Sequence, residues 1–172
     1  MRLIMIKAIL ACDQDWGIGK DGDLPWPRNT EDLKWFKESN IRGVVVMGKS
    51  TLNSLPRKPL PNRKNIIITS SEQDKEQDGC QFIKFNIAKK ELVNMSKSRD
   101  VWIIGGAKLV KGLLDIIDEF HLSRIQGSYD CDTFLPSSLI TQKYELAESG
   151  KRGGVYVDIW KQLLNKDRWP NW

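Results

Sequence analysis

The sequence predicts one α/β domain built on a central, mostly parallel sheet. Three observations carry that prediction. Short apolar, β-branched runs alternate with segments of helical spacing, which implies parallel strands joined by right-handed crossovers with helices on both faces. The chain has 172 residues, the size of a single domain, long enough to bury a core without disulfides or metals. Two further runs flank Lys151-Arg152-Gly153-Gly154 and read as a closing hairpin, which adds at least one antiparallel strand.

Element by element, residues 3–13 are apolar and β-branched, a buried first strand. Residues 14–29 form a loop punctuated by glycine and proline. A helix is expected over 30–39, with Thr30 as N-cap and Glu31 and Asp32 in the first turn, where the helix dipole favours acids. Residues 43–47 make a second strand and 49–55 a short helix. A proline-rich connection, 56–62, leads into a strand at 64–69. Polar, acidic residues 70–79 are expected as a surface loop. Then come a strand at 80–85, a helix at 88–95, a strand at 101–104 ended by Gly105-Gly106, and a helix running to Leu114. Residues 118–125 read as a strand, 127–136 as a long loop, and 143–148 with 155–163 as the hairpin. The domain is placed at 1–164, leaving 165–172, with Trp169 and Trp172, as a loose extension.

Composition excludes several classes. Apolar residues are 40% and charged residues 28%, ordinary for a globular domain and unlike disordered, collagenous or coiled-coil chains. No apolar run reaches the ~18 residues that span a bilayer. The apolar stretch 4–12 contains Lys7 and lacks a small-x-small cleavage pattern, so a cytoplasmic protein without a membrane partner is expected. Three scattered cysteines, Cys12, Cys80 and Cys131, fit reduced thiols. One histidine, His121, offers no metal cluster or triad; no metal is expected, and His121 reads as a satisfied histidine. The net charge of +5 suits anionic partners, and equally a basic, solvated surface.

Ligands of open α/β sheets bind at the carboxyl ends of the strands, and the informative residues lie there. The loop after the first strand, residues 16–27, holds three glycines in six positions and ends in Leu24-Pro25-Trp26. It is either a glycine-rich surface turn or a cover that closes over a ligand. Asp32 shares a helix face with Trp35 and Phe36. A carboxylate facing the core is costly unless paired. Either it caps a backbone group or it binds a cationic or amidine-like ligand. Two strand–glycine–helix junctions, at Gly48-Lys49-Ser50-Thr51 and Gly105-Gly106-Ala107-Lys108, present free N–H groups and a lysine each, which fits a dinucleotide held at two phosphate positions. Neither matches a full GxGxxG or Walker pattern. Arg63 is either a carboxylate clamp or plain surface.

Together these segments resemble the dihydrofolate reductases. The resemblance rests on GIGKDGDLPW (17–26), DLKWF (32–36), VMGKST (46–51), LPNRKNI (60–66), IIGG (103–106) and Asp132-Thr133, in order across residues 6–160. It implies an eight-stranded mixed sheet with about four helices, a monomer, and NADPH-dependent reduction of 7,8-dihydrofolate, hydride going to pterin C6 and a water-delivered proton to N5. Antifolate inhibitors are expected ligands, and nucleic acid is not. Asp32 then binds the pterin N3 and 2-amino group, supported by Ser123, with Trp26 and Leu24 completing the catalytic centre. Ile9, Phe36, Leu55, Leu60 and Ile104 match the apolar walls around the substrate, and Arg63 the clamp on its α-carboxylate.

The resemblance further places the cofactor. Ala11 and Ile18 touch the nicotinamide, and Gly17, Ile18, Gly19, Lys20, Asp21, Gly22 and Asp23 form a mobile lid with Leu24. Gly48, Lys49, Ser50, Thr51, Thr69, Ser70, Ala107, Lys108 and Leu109 match cofactor contacts, with Lys49 and Ser70 at the 2′-phosphate and Gly105-Gly106 at the pyrophosphate. The chain departs from the common pattern at Leu52, where many members carry tryptophan, at Val110, where many carry tyrosine, and at Ser50, which replaces a larger basic or imidazole group. Two rival classes would leave different marks on the sequence. A related-fold reductase of riboflavin synthesis should lack the Leu-Pro-Trp loop and Asp32. A nucleic-acid or assembly module should show a basic, aromatic-interleaved stripe, whereas most tryptophans here have core or active-site explanations.

Overall fold

A computed structural model describes residues 5–70 and 75–163. The expected extension at 165–172 and the first residues of the expected first strand lie outside them. Among the described residues the sheet has nine strands in the order β10-β11-β8-β1-β7-β3-β4-β6-β5. Its centre is parallel: β1 (Ile6–Cys12) pairs with β7 (Val101–Gly105) and β8 (Glu119–Arg124), and β3 (Val44–Gly48) pairs with β7 and β4 (Lys64–Thr69). Beyond β4 lies β6 (Cys80–Lys84), also parallel. The C-terminal hairpin, β10 (Tyr144–Arg152) and β11 (Val155–Gln162), adds two antiparallel strands beside β8.

The ninth strand comes from β5 (Lys75–Gln77), which pairs antiparallel with β6 inside the stretch read as loop. Its three residues are all exposed, so it carries no hydrophobic signal. A separate two-stranded sheet joins β2 (Gly17–Gly19) to β9 (Thr133–Phe134), two segments also expected as loop.

Helices α1 (Thr30–Asn40), α2 (Lys49–Ser54), α3 (Phe85–Ser96) and α4 (Ala107–Gly112) stand where the pattern put them. Two boundaries move. The helix expected to reach Leu114 ends at Gly112 and gives way to a 3₁₀ turn, Leu114–Ile116. Phe85, expected to end a strand, opens α3. A fifth helix, α5 (Ser137–Lys143), was not anticipated; it buries only Ile140 and so shows no periodic face.

Period-2 alternation sorts the sheet into two apolar layers. Ile6, Ala8, Leu10, Val44, Val46, Ile103 and Leu122 pack with Leu92 of α3 and Val110 of α4. Ile9, Val45, Met47, Ile67 and Trp102 face the other way, against Trp35 and Phe36 of α1. Each fully buried Val, Leu or Ile contributes about 1.5–3 kcal/mol. These layers hold the carboxyl ends of β1, β3 and β7 side by side.

Candidate active site

Asp32 sits in the first turn of α1. The cap is Asn29 rather than Thr30: its extended backbone lets Oδ1 accept the Asp32 N–H at 3.0 Å. The capping role thus falls to a neighbour, and the Asp32 carboxylate is turned elsewhere. It is 8% exposed, and Ser123 Oγ on β8 donates to its Oδ1 at 2.5 Å. Oδ2 receives no hydrogen bond from the described residues. Burial pushes the Asp32 pKa up, and the Ser123 hydrogen bond offsets part of that shift.

The expected walls gather beside it. Phe36, Leu55, Leu60 and Ile104 pack on one apolar cluster that includes Ile9. Ala11 lies opposite Ser123 in the β1–β8 register. Arg63 stands at the rim, Nε donating to the Pro61 carbonyl at 2.9 Å and Nη1 to Asn40 Oδ1 at 2.8 Å. Its Nη2 has no acceptor among the described residues.

Two residues here escaped the sequence reading. Buried Asn65 accepts from the Leu60 N–H and donates to the Leu60 and Arg63 carbonyls, which shapes the turn that presents both side chains. An asparagine inside an apolar strand was the available signal. Leu33 is 43% exposed although apolar and lies three residues before Phe36, on the same side of α1.

The two glycine junctions meet. Met47 of β3 pairs with Gly105 of β7, so α2 and α4 start side by side. A Cβ built on Gly105 or Gly106 would lie 3.4 or 3.7 Å from Thr51 Oγ1, and one built on Gly48 would meet nothing within 4 Å. Gly48 and Gly106, which have no side chain to accept a hydrogen bond, stand at the N-caps of α2 and α4, where the first backbone N–H groups of a helix suit an anion. Lys49, Ser50, Ser70 and Lys108 are exposed around them, Ala107 is half-buried and Thr69 is buried. Leu109 packs in the core, so only its backbone is available to a ligand. These residues fit a pyridine dinucleotide: glycine space, two glycine-capped helix starts and basic side chains.

The loop over the crevice is more structured than its glycines suggest. Besides the β2–β9 pairing, the Asp21 N–H donates to Asp132 Oδ2 at 2.9 Å, and Lys20 and Asp23 exchange backbone hydrogen bonds. Gly22 takes φ +79°, a conformation suited to glycine. Leu24 is 52% exposed, while Trp26 is buried, edge-on to Tyr129 at 5.8 Å. Ile18 packs on the core.

The base of this loop hangs on Asp13, which sequence reading treated only as the end of a strand. Asp13 Oδ1 accepts the Asp15 and Gly17 N–H groups, and Oδ2 accepts the Tyr129 N–H and the Cys131 thiol. Burial raises its pKa, but these donors outweigh burial and hold the carboxyl below its ordinary value. His121, as expected, is satisfied: its Nε2 lies 2.9 Å from Glu119 Oε1.

A buried acid in an apolar wall, next to paired anion-accepting helix starts, is the layout of a reductase that holds a dinucleotide against a cationic or amidine-like ring. The comparisons agree. The profile of the dihydrofolate reductase family matches residues 5–154. The dihydrofolate reductase of Buchnera aphidicola is 34% identical over 96% of this chain and 90% of its own length. That of Bacillus subtilis is 36% identical, covering 77% of this chain and 76% of its own. The solved structure of dihydrofolate reductase from Enterococcus faecalis, complexed with NADP(H) and RAB-propyl, superposes with a TM-score of 0.75 at 27% identity. It covers 94% of this chain and 98% of that one. This chain belongs to the dihydrofolate reductase family, whose members reduce dihydrofolate with NADPH.

Proposed function

We propose that this chain reduces 7,8-dihydrofolate to 5,6,7,8-tetrahydrofolate with NADPH, and that Asp32 is the carboxylate that receives the pterin ring. The observation carrying the assignment is Asp32 itself: buried at the end of an apolar wall, held by Ser123 through Oδ1, with Oδ2 unengaged by any described residue. The pterin N3 and 2-amino group present two adjacent N–H donors, which a carboxylate accepts in parallel. The spare lone pairs of Oδ1 allow it to accept from Ser123 and substrate together.

NADPH, when bound, supplies the hydride that reaches pterin C6. The chain's part is positioning and electrostatics. Ile9, Phe36, Leu55, Leu60 and Ile104 hold the substrate's rings, while Arg63 offers Nη2 to its α-carboxylate. Gly48–Thr51, Thr69, Ser70 and Gly105–Leu109 hold the dinucleotide, with Lys49 and Ser70 at the 2′-phosphate. Ala11, Ile18, Trp26 and Leu24 border the meeting point of the two rings. In this low-dielectric pocket the Asp32 charge raises the basicity of the bound ring, and water brings the proton to N5. Aligning two reactants and excluding solvent contributes several kcal/mol, and residues 17–24 gate exchange. The proposed working form is a monomer. The proposed location is the cytoplasm and the proposed ligands are small molecules, antifolate inhibitors among them; no described helix is long and apolar enough to cross a membrane.

The test is loss of NADPH absorbance with dihydrofolate, wild type beside Asp32→Asn. Turnover should fall at least ~100-fold in the variant near neutral pH, with NADPH binding unchanged. Full activity in the variant would overturn the role of Asp32.

A further inference from the structure

Arg124 directly follows Ser123 on β8, so its side chain takes the opposite face of the sheet from the one that holds Asp32. It lies in register with Cys12 of β1, and its Nη1 donates to Cys12 Sγ at 3.0 Å. Its Nε stands 3.8 Å from Asp158 Oδ2 on β11, and Asp158 Oδ1 in turn accepts the Ser149 hydroxyl at 2.6 Å. The guanidinium fixed in this way lies over the Trp16 ring, its Cζ 5.0 Å from the centroid. Trp160 of β11 packs on the same ring, 5.6 Å away and tilted by 53°. These residues belong neither to the substrate wall nor to the glycine junctions.

What these contacts hold is a strained backbone. Trp16 takes φ +66°, a left-handed conformation that a bulky residue adopts only at a cost. Such an angle persists where the surroundings fix it. It matters because the next residue, Gly17, opens β2 and with it the lid. Gly17 has little latitude, since a Cβ there would overlap Cys131. The Trp16 carbonyl also accepts the Leu135 N–H at 3.0 Å, just past β9, the strand that pairs with β2. We propose that Arg124 is a positioning residue for the reaction: by holding the Trp16 ring beside Trp160, it fixes the direction in which residues 17–24 leave the core and cover the crevice. The inference rests on the reductase reading above, because it needs those residues to close over the bound rings. A cation over an indole face is attracted to it, more so where water is partly excluded, and the Arg124 side chain is only 24% exposed. An Arg124 that merely covered the end of the core would add stability and leave the chemical step alone.

The experiment is a single turnover of the full chain. Dihydrofolate is mixed with protein already saturated with NADPH, and the loss of NADPH absorbance is followed, beside thermal melting of each variant. Arg124→Met, which keeps the length and loses the cation, should slow this step about tenfold while dihydrofolate affinity changes by less than about twofold. Arg124→Lys, which returns a cation to the ring, should recover most of the rate. Trp16→Asn removes the ring but tolerates the left-handed backbone. It should be slowed to a similar extent, and the double variant Arg124→Met, Trp16→Asn should be no slower than the slower single one. Trp16→Asn decides the matter if Arg124→Met fails to fold. Wild-type rates in both single variants, whatever their melting temperatures, would overturn the clamp while leaving the reductase intact, as would additive slowing in the double variant. A wild-type chain that does not oxidise NADPH with dihydrofolate would overturn the reductase reading and the clamp together.

Discussion

The Ser123 hydroxyl donates to Asp32 Oδ1 at 2.5 Å, joining the first turn of α1 to β8 across 91 positions of sequence. This contact holds the carboxylate at the crevice and favours its charged form, against a burial that disfavours it. Burial is the larger effect, so the Asp32 pKa lies above its ordinary value of 3.8. The folded, ligand-free chain therefore holds this proton more tightly than the unfolded chain, and stability falls as pH rises from 3.8 through the native pKa. Asp32→Asn should melt at a higher temperature than wild type at about pH 7 and at the same temperature near pH 3. Ser123→Ala removes a bond to the charged form, so the acid limb of its kcat/KM profile should move to higher pH.

Asp13 has the opposite sign. Its carboxyl is held below 3.8 by backbone donors that overcome burial, so it stabilises the fold above the unfolded pKa. That contribution is lost as pH falls through the native value. Asp13→Asn leaves the Tyr129 N–H and Cys131 thiol facing an amide nitrogen. Denaturant unfolding near pH 7 should show a loss of about 1–3 kcal/mol, and the gap to wild type should close toward pH 2.

Gly17 and Cys131 make a close packing pair between the lid and the loop before β9. A methyl at Gly17 would overlap the sulfur and Cβ of Cys131. Gly17→Ala should cost about 1–3 kcal/mol. Adding Cys131→Gly clears the overlap and should restore part of the loss, measurable as a non-additive double-mutant cycle.

Cys12 is fully buried, and burial pushes its thiol up to about 11 despite the Arg124 hydrogen bond at 3.0 Å. At pH 8 only about one molecule in a thousand carries the thiolate. Native protein treated with iodoacetamide should keep Cys12 unmodified, as read by mass spectrometry, until denaturant exposes it.

Much of the fold is legible along the chain because a buried strand writes itself as a β-branched run, as 44–48 and 64–69 do. The same signal fails for β5, β2 and β9, which are two or three residues long and too short to show an apolar pattern. Thr30 is the expected cap of α1, but Asn29 serves instead, because the loop before the helix sets the Asn29 backbone in the extended angle that a cap needs. Asp32 was legible as an acid on an apolar face. That Asn29, not Asp32, takes the cap could be seen only once the backbone was built.

By itself the sequence determined the alternation of strands and helices, the glycine junctions, the acid at position 32 and the family. These rest on local spacing and residue type, which chain order preserves. The tertiary structure alone decided that Met47 and Gly105 lie abreast, that Asp13 gathers four donors and that Phe85 rests on Gly112. Each of these joins residues remote in sequence through strand order and register, and those are chosen by the packing of two apolar layers rather than by any segment on its own.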